Sequence, residues 1–429
     1  MRRSALTRNF IFLISILGLL LASCRNQLPG GLFKSQTPHQ RYADQLRKAG
    51  LGESNLFRQW DTAAKRSLQA PLSIDIPFRE QAYFEAERPA AAGYGFDVKN
   101  GYLLRIDLDV QAVDSTSIFM DLFEIMADSS EQPKHLHSAD TGSTTLEYVV
   151  KEDSRYLLRV QPELLAEVSY ELTIRAEASL ANPVASTMRI GSFFGDGRDA
   201  GARKHEGVDI FGKRLTPVVA SADGRVTRVG DNRLGGKVVW LRPDERNLSL
   251  YYAHLDSQLV VSGQVVKTGD TLGLMGNTGN AITTPPHLHF GIYTSEGAVD
   301  PLPFLRPGKS DPPAIRSDIA RLGDTLRVAS SNQKAPMHSP VLVEAAYLNG
   351  YRVLLPDGTR AYLARNHLSP LSKPIRSYRA TADQPVYAAP AVRSAHRSQM
   401  AAGESRPVLA VFGEFLLIDG AKKGWIRAD

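Results

Sequence analysis

The chain has 429 residues, of which 43% are hydrophobic, and its formal net charge is +6. This composition is ordinary for a globular protein, and at about 150 residues per domain the length predicts about three domains. The single cysteine excludes an intramolecular disulfide bond, and no segment resembles a nucleic-acid-binding motif. The modest positive charge fits either work near an anionic envelope polymer or a plain solvated surface of mixed charge.

The N-terminal segment has the pattern of a secretory signal, with three arginines before an apolar run at residues 10–22. That run is short for a helix that needs about 20 residues to cross a membrane. It ends in Leu-Ala-Ser-Cys at residues 21–24, which resembles a bacterial lipoprotein cleavage box. We therefore predict a signal peptide at residues 1–24 and a lipid anchor on Cys24, although a plain signal peptide with an incidental cysteine is an alternative. Arg25 after the cysteine favours the outer membrane, facing the periplasm.

Residues 25–71 are predicted to form a tether and a short helix. The first part of this segment is polar and rich in glycine, proline and glutamine, which is typical of a flexible linker. A helix is predicted at residues 42–49, with Gly50 as its C-terminal cap.

Residues 72–177 are predicted to form an antiparallel β-sandwich. Apolar and polar residues alternate at 102–110, 156–160 and 170–175, and short strands at regular intervals are typical of this architecture. No catalytic cluster occurs here, so a spacer or folding partner is favoured over a binding domain. The pair His135 and His137 lies in a polar stretch and is predicted to be an exposed loop.

A segment in the middle of the chain carries the residues with the clearest chemistry, including four of the ten histidines. They occur as His205-x-x-x-Asp209, a lone His254, and His287-x-His289. Imidazole and carboxylate together bind a borderline cation such as zinc, and three protein ligands plus water form the catalytic arrangement. Alternation along a strand places both histidines of the last pair on one face. The spacing alone does not say which of these two is a ligand.

Three ordered motifs carry a resemblance to a known family: Lys-His-Glu-Gly-Val-Asp at 204–209, Tyr-Ala-His at 252–254, and Pro-His-Leu-His-Phe at 286–290. With the glycine-rich turns between them, they make residues 185–307 similar to the lysostaphin/LytM-type zinc metallopeptidases, which cut peptide cross-bridges in bacterial cell walls. Apolar runs at 237–241 and 248–252 fit a compact antiparallel sheet with a groove that carries the histidines.

The resemblance implies a role for each of the five residues. His205, Asp209 and His289 would hold one Zn²⁺ ion, with water in the fourth position. His254 and His287 would lie beside that water, as general base or as donors to the tetrahedral oxyanion.

Two alternatives and two departures bear on this interpretation. His205-Glu206-x-x-Asp209 is similar to the helical His-Glu-x-x-His signature with Glu206 as base, but Gly207 and the valine after it are poor helix formers. Some relatives of the family have lost ligands and act as binding or activator modules, whereas no ligand is missing here.

The loop at 279–286 is longer than usual and has a proline where glycine is common, and Leu215 also replaces a frequent glycine. Both departures are expected to reshape the groove without removing a chemical group.

The rest of the chain is predicted to be a linker and two small barrels. Residues 301–313 contain five prolines and are typical of a linker. Residues 319–371 and 374–429 each contain a strand, an Asp-Gly turn and an aromatic strand, which resembles a pair of bacterial SH3-like repeats. The alternative is a β tail that only packs on the peptidase.

The predicted fold class is therefore mostly β: an antiparallel peptidase domain with an N-terminal β-sandwich and C-terminal SH3-like barrels. The predicted function is that of a zinc-dependent metalloendopeptidase in the cell envelope, which hydrolyses peptide cross-links of peptidoglycan and is held to the membrane through Cys24. The alternatives are a non-enzymatic lipoprotein that binds peptidoglycan or activates an amidase, and a peptidase for another extracellular protein. The sequence does not fix the bond cut or the oligomeric state.

Overall fold

The computed structural model describes residues 36–112, 116–125, 132–198, 201–244, 246–306, 308, 311–330 and 333–428. Within this part the chain is mostly β, with several antiparallel sheets, which confirms the predicted fold class. None of the helices in these ranges is long and apolar enough to cross a membrane. The signal peptide and Cys24 lie outside the described residues and stay predictions.

Two helices precede the first strand, where the sequence predicted one: α1 Pro38–Lys48 and α2 Asn55–Gln69. Helix α1 begins four residues earlier than predicted, because Thr37 and Gln40 form a reciprocal capping box around Pro38 in the first turn. Helix α2 was missed. It inserts the fully buried ring of Trp60, whose Nε1 donates a hydrogen bond to the backbone oxygen of Pro162 at 2.8 Å.

The ring of His39, on α1, is buried beside this tryptophan. The two rings stack with centroids 4.4 Å apart, and His39 Nε2 lies 2.8 Å from the amide oxygen of Gln161. Burial, with the nearby charge of Arg159, lowers the pKa of His39 to about 4. The two helices are therefore packed on the β-domain through a neutral histidine, so this part of the predicted tether is ordered structure.

The next segment forms two sheets that enclose one core. One sheet has the order β1-β3-β8-β5-β6, and the other contains β2-β9-β4-β7. Alternation along β4 places Leu104, Ile106 and Leu108 in the shared core. The nine strands are β1 Leu72–Ser73, β2 Phe78–Phe84, β3 Ala92–Val98, β4 Tyr102–Ala112, β5 Ile118–Glu124, β6 Lys134–Ser138, β7 Thr145–Val149, β8 Ser154–Pro162 and β9 Val168–Ala178.

The prediction of a loop at His135 and His137 is wrong, because both residues lie on strand β6. This strand pairs with β5 at the sheet edge, and His135 Nε2 lies 2.8 Å from the hydroxyl of Ser138. Polar composition here reflects an edge strand with one solvated face rather than the absence of a strand.

A ten-stranded sheet follows, with the order β10-β13-β20-β17-β16-β15-β18 as its main path. Leu288, Phe290 and Ile292 of β20 point into the core beneath this sheet. The strands of this segment are β10 Arg189–Ser192, β11 Gly197–Arg198, β12 Arg203–Lys204, β13 Val208–Phe211, β14 Pro217–Val219, β15 Gly224–Asn232, β16 Gly236–Pro243, β17 Ser249–Gln258, β18 Val265–Val266, β19 Thr271–Met275, β20 His287–Thr294 and β21 Gly297–Val299.

The predicted linker at residues 301–313 is only partly correct. Its first residues form a short helix, α3 Leu302–Leu305, which contacts strands β4 and β9 of the sandwich. Phe304 and Leu305 are buried in the core of the ten-stranded sheet. Proline was a misleading signal here, because it is compatible with the first turn of a helix.

The tail forms two further groups of strands, and each Asp-Gly turn predicted in it joins two strands. The first group is β22 Thr325–Val328, β23 Pro340–Tyr347, β24 Gly350–Leu354, β25 Arg360–Ala364 and β26 Leu368–Pro370. The second group is a six-stranded sheet of β27 Arg376–Arg379, β28 Gln384–Tyr387, β29 His396–Met400, β30 Ser405–Phe412, β31 Phe415–Ile418 and β32 Gly424–Arg427. The SH3-like identity of the two groups stays a prediction.

The first tail group is continuous with the sandwich. Strand β23 pairs antiparallel with β2, with Glu80 opposite Tyr347 and Ala82 opposite Ala345, so nine strands form one sheet across both segments. The sequence did not indicate this pairing, because the partners are more than 260 residues apart.

A buried polar cluster locks the same junction. Arg352 Nη1 donates hydrogen bonds to Glu80 Oε1 and to the hydroxyl of Tyr94, both at 2.5 Å. The hydroxyl of Tyr362 donates to Glu80 Oε2 at 2.7 Å. Arg352 and Glu80 are 2% and 0% exposed, so the ion pair between the tail and the sandwich is shielded from water.

Candidate metal centre and its groove

Three neighbouring strands carry four of the five predicted site residues to one face of the sheet, and His205 lies in the short segment between β12 and β13. In the pairing of β13 with β20, Asp209 lies opposite His289. In the pairing of β17 with β20, Ala253 lies opposite His289, which places His254 beside the same position. His287 is two residues earlier on β20 and shares the face of His289, as the alternation predicted.

Three of these side chains bring their ligand atoms together. His205 Nε2, Asp209 Oδ1 and His289 Nδ1 form a triangle with sides of 3.0, 3.1 and 2.9 Å. Ligand atoms around a tetrahedral zinc, each about 2.0–2.1 Å from the ion, would be about 3.3 Å apart. Two imidazoles and one carboxylate at this separation fit a small divalent cation, and the set is the one group of this kind among the residues that the structure describes.

The structure also distinguishes the positions of His287 and His289, which spacing alone did not. His289 contributes its Nδ1 to the triangle, whereas His287 donates from Nδ1 to the backbone oxygen of Pro285 at 2.9 Å. This proline, which stands where glycine is usual, therefore orients a site histidine through its carbonyl group.

Hydrogen bonds outside the triangle orient its members. His205 Nδ1 donates to the backbone oxygen of Phe193 at 2.8 Å, and because a carbonyl can only accept, the proton is on Nδ1 and Nε2 is free to ligate. Arg198 Nη2 donates to Asp209 Oδ2 at 2.6 Å and to the hydroxyl of Ser192 at 2.7 Å. Burial would raise the pKa of Asp209, but the His205 and His289 side chains beside its carboxylate hold this pKa well below its usual range.

His254 faces the triangle from the neighbouring strand. Its ring centroid is 4.9 Å from that of His287 and 5.9 Å from that of His289. His254 Nδ1 donates to the backbone oxygen of Thr278 at 2.9 Å, so Nε2 is the nitrogen that can accept a proton. Burial, together with the other two histidines, lowers the pKa of His254 to about 4. The ring is therefore neutral at pH 7.

An open groove of about 1290 Å³ contains all five residues. Its aromatic wall consists of Trp240, Tyr251 and Tyr293, whose rings lie 4.4–6.1 Å apart. Among the residues that the structure describes, those that line the groove all fall between positions 191 and 293. The described parts of the sandwich and of the tail therefore leave the groove uncovered.

The helical alternative with Glu206 as base does not fit this geometry. The residues after His205 lead into strand β13 rather than a helix, and Glu206 accepts a hydrogen bond from the hydroxyl of Tyr293 at 3.2 Å. Glu206 therefore belongs to the wall of the groove.

The second departure from the family pattern also has a structural explanation. Leu215 has a φ of 65°, in the left-handed region where glycine carries no steric cost. The leucine side chain is 51% exposed. The usual glycine at this position is therefore replaced at the cost of a strained turn.

Sequence reasoning missed the residues that orient the site. Arg198, Ser192 and Thr278 bond to site residues through hairpins and loops whose closure depends on the folded sheet. No spacing in the sequence indicates these contacts.

The region that contains this site is similar to known proteins. Residues 203–301 match the model of Peptidase family M23. The chain is 44% identical over 109 residues to an uncharacterized metalloprotease of Haemophilus influenzae, covering 25% of this chain and 22% of that protein. It is 37% identical over 136 residues to an L-Ala–D-Glu endopeptidase of Bacillus subtilis, covering 29% and 41%.

A third relative has a different kind of name. The chain is 38% identical over 102 residues to the murein hydrolase activator NlpD of Salmonella dublin, covering 24% of this chain and 26% of that protein. The chain thus spans less than half the length of each of these relatives. The family model matches residues 203–301, and the sandwich and the tail lie outside this range.

Proposed function

We propose that the Peptidase family M23 domain at residues 203–301 is a zinc-dependent endopeptidase that hydrolyses peptide cross-links of bacterial peptidoglycan. The observation that carries the proposal is the ligand triangle of His205, Asp209 and His289 with two further histidines beside it in an open groove. The family match and the endopeptidase relative support the same reaction class.

The donor set favours zinc as the metal. Two imidazoles and one carboxylate suit a borderline cation, and three protein ligands leave a fourth position for water. A zinc ion bound by these residues would supply an acidified water and polarise the scissile carbonyl group. Arg198 and the carbonyl of Phe193 keep the ligand atoms of Asp209 and His205 directed at one point.

His254 and His287 are the residues that would move protons. In both rings Nδ1 donates its proton to a backbone carbonyl, so Nε2 is the ring nitrogen that faces proton transfer. We assign His254 as the general base because its lowered pKa keeps it neutral at pH 7. A positioned base of this kind contributes roughly 100-fold to 10,000-fold to a rate. His287 would donate to the developing oxyanion when protonated.

The groove suits an extended peptide substrate. It has a volume of about 1290 Å³ and an aromatic wall, which suit a short peptide. Lipid anchoring at Cys24, a cell-envelope location facing the wall and wall binding by the SH3-like segments 319–371 and 374–429 belong to the same proposal. The net charge of +6 suits work near an anionic polymer.

The test is digestion of purified peptidoglycan sacculi with the zinc-loaded protein, followed by mass spectrometry of the muropeptides. Loss of cross-linked dimers is expected with the wild type and not with His254→Ala, and the product masses identify the bond. A parallel digestion of a glycine-rich protein tests the alternative of a general extracellular peptidase. Zinc content separates the two kinds of residue: His289→Ala should lose the metal and His254→Ala should keep it.

The second candidate function is that of a non-enzymatic activator of a wall hydrolase, which the activator relative supports. The complete ligand triangle and the two retained histidines favour the enzyme. Two results together would reverse that preference. The zinc-loaded protein would leave the muropeptides unchanged, and it would stimulate a purified amidase.

A further inference from the structure

The backbone of His254 has an unusual conformation. Its φ is 61°, in the left-handed region that residues with a Cβ atom rarely adopt. The backbone nitrogen of His254 donates to the oxygen of Gly235 at 2.7 Å, and its ring donates to the oxygen of Thr278 at 2.9 Å. Two separate segments therefore hold this residue, one through its backbone and one through its ring.

These two segments touch each other at a pair of glycines, Gly236 and Gly279. A Cβ on Gly236 would lie 2.3 Å from Thr278 Oγ1, and a Cβ on Gly279 would lie 2.3 Å from the nitrogen of Gly236. Both glycines have positive φ, of 61° and 71°. Only glycine permits so close an approach, so the contact between the segments is a built feature of the site.

The hydroxyl of Thr278 bonds to both sides of this contact. Thr278 Oγ1 accepts from the backbone nitrogen of Lys237 at 3.0 Å and donates to the backbone oxygen of Leu255 at 2.8 Å. Leu255 directly follows His254 in the chain. The hydroxyl therefore connects the start of strand β16 to the residue beside the proposed base, while the carbonyl of the same threonine accepts the proton of the base.

We propose that Thr278 is a positioning residue for His254: its hydroxyl fixes the carbonyl that holds the His254 ring in the Nδ1–H tautomer with Nε2 toward the metal centre. The substitution that removes only the hydroxyl is Thr278→Val, which keeps the branched shape. Thr278→Ser restores the hydroxyl and loses a methyl group. The kinetic consequence rests on the proposed function, whereas the tautomer of His254 does not.

The experiment uses the full-length protein labelled with ¹⁵N at histidine and loaded with zinc. Long-range ¹H–¹⁵N spectra report which ring nitrogen carries the proton, and the spectrum of His254→Gln identifies the signals of His254 among the ten histidines. Thr268→Val is the matched control, because the Thr268 hydroxyl bonds to Asp223 at an exposed turn. Zinc content, kcat and KM on sacculus-derived peptides are measured for the same proteins.

The wild type, Thr278→Ser and Thr268→Val are expected to show a single Nδ1–H tautomer at His254. Thr278→Val is expected to show a tautomer mixture and a kcat lower by about 10- to 100-fold, with KM and zinc content nearly unchanged. If the valine variant does not fold, Thr278→Cys keeps the size of the side chain with a weaker hydrogen-bonding group and carries the same expectation.

A wild-type tautomer in Thr278→Val would overturn the inference, as would a serine variant as impaired as the valine variant. If the wild type cleaves no peptide, the proposed function fails, and the spectra still decide the role of Thr278.

Discussion

Replacement of Arg352 by methionine tests whether the tail and the sandwich are one structural unit. Arg352 lies in the tail, but its guanidinium bonds to Glu80 on strand β2 of the sandwich and lies over the ring of Tyr94 at 5.7 Å. Methionine fills a similar volume and leaves the Glu80 carboxylate with two hydroxyl donors and no opposite charge at the Oε1 side. The change therefore removes the positive charge and its contacts with Glu80, Tyr94 and Glu344, while the volume of the side chain is nearly kept.

The expected loss of stability is large because both partners are almost completely buried. Removal of one partner from a buried ion pair costs about 3–5 kcal/mol, since the remaining charge has lost both water and its partner. The total free energy of unfolding of a domain is only about 5–15 kcal/mol. The double variant Glu80→Gln/Arg352→Met removes both charges and keeps an acceptor for the two tyrosines, so it should recover about half of the loss or more.

The assay is urea denaturation combined with hydrogen exchange of strands β2 and β9. Arg321→Met is the control on the same tail segment, because Arg321 and its partner Asp324 are both exposed and such pairs contribute at most about 1 kcal/mol. A loss below about 1 kcal/mol for Arg352→Met would refute the reasoning. Faster exchange confined to the tail strands would refute the view that the two segments unfold together.

Three further predictions concern single residues. Arg198→Gln should weaken zinc binding about 10- to 100-fold, because Asp209 loses the donor that orients it; a chelator competition with unchanged affinity would contradict this role. The pKa of His39 is lowered to about 4 from an unfolded value of about 6.5. The neutral ring therefore stabilises the fold fully above about pH 6.5, and this stabilisation falls as the pH drops towards 4. At pH 5 the free energy of unfolding is lower by about 2 kcal/mol. Urea denaturation at pH 8 and pH 5 should show that the free energy of unfolding falls less in His39→Gln than in the wild type. An equal decrease in the two proteins would exclude a buried neutral histidine. Leu215→Gly should raise the melting temperature of the region at 203–301, because it removes a leucine from a left-handed backbone conformation. The expected gain in the free energy of unfolding is about 0.5–1 kcal/mol after the entropy of glycine is subtracted. A lower melting temperature in calorimetry would contradict the strain.

The sequence predicted the class of the fold because the alternation of apolar and polar residues marks strands locally. Alternation along a strand is a local property, so His287 and His289 had to share a face whatever the rest of the chain did. Spacing alone did not choose between them, because the choice depends on the register of β20 against β13. Helix α2 was missed although its sequence carries local signals, because Ser54 caps it and its buried residues Phe57, Trp60, Ala64 and Ser67 recur at helical spacing.

Contacts between distant segments account for the features that the sequence did not predict. The pairing of β2 with β23 and the Arg352–Glu80 bond join residues more than 260 positions apart. Nothing near Glu80 in the sequence indicates that its partner lies in the tail. The hairpin that carries Arg198 to Asp209 is closer in sequence, but its side-chain contact forms only after the sheet has closed.

The shared nine-stranded sheet makes the segment with the candidate metal centre an insertion. The chain leaves this sheet after β9 and returns to it at β22, and β23 is separated from β9 only by β2. Neighbouring strands are about 4.8 Å apart, so β9 and β23 are about 10 Å apart. Both ends of the inserted segment are therefore joined to strands of one sheet, through β9 and through β22. A deletion of the tail would remove strands from the same sheet to which the inserted segment is attached.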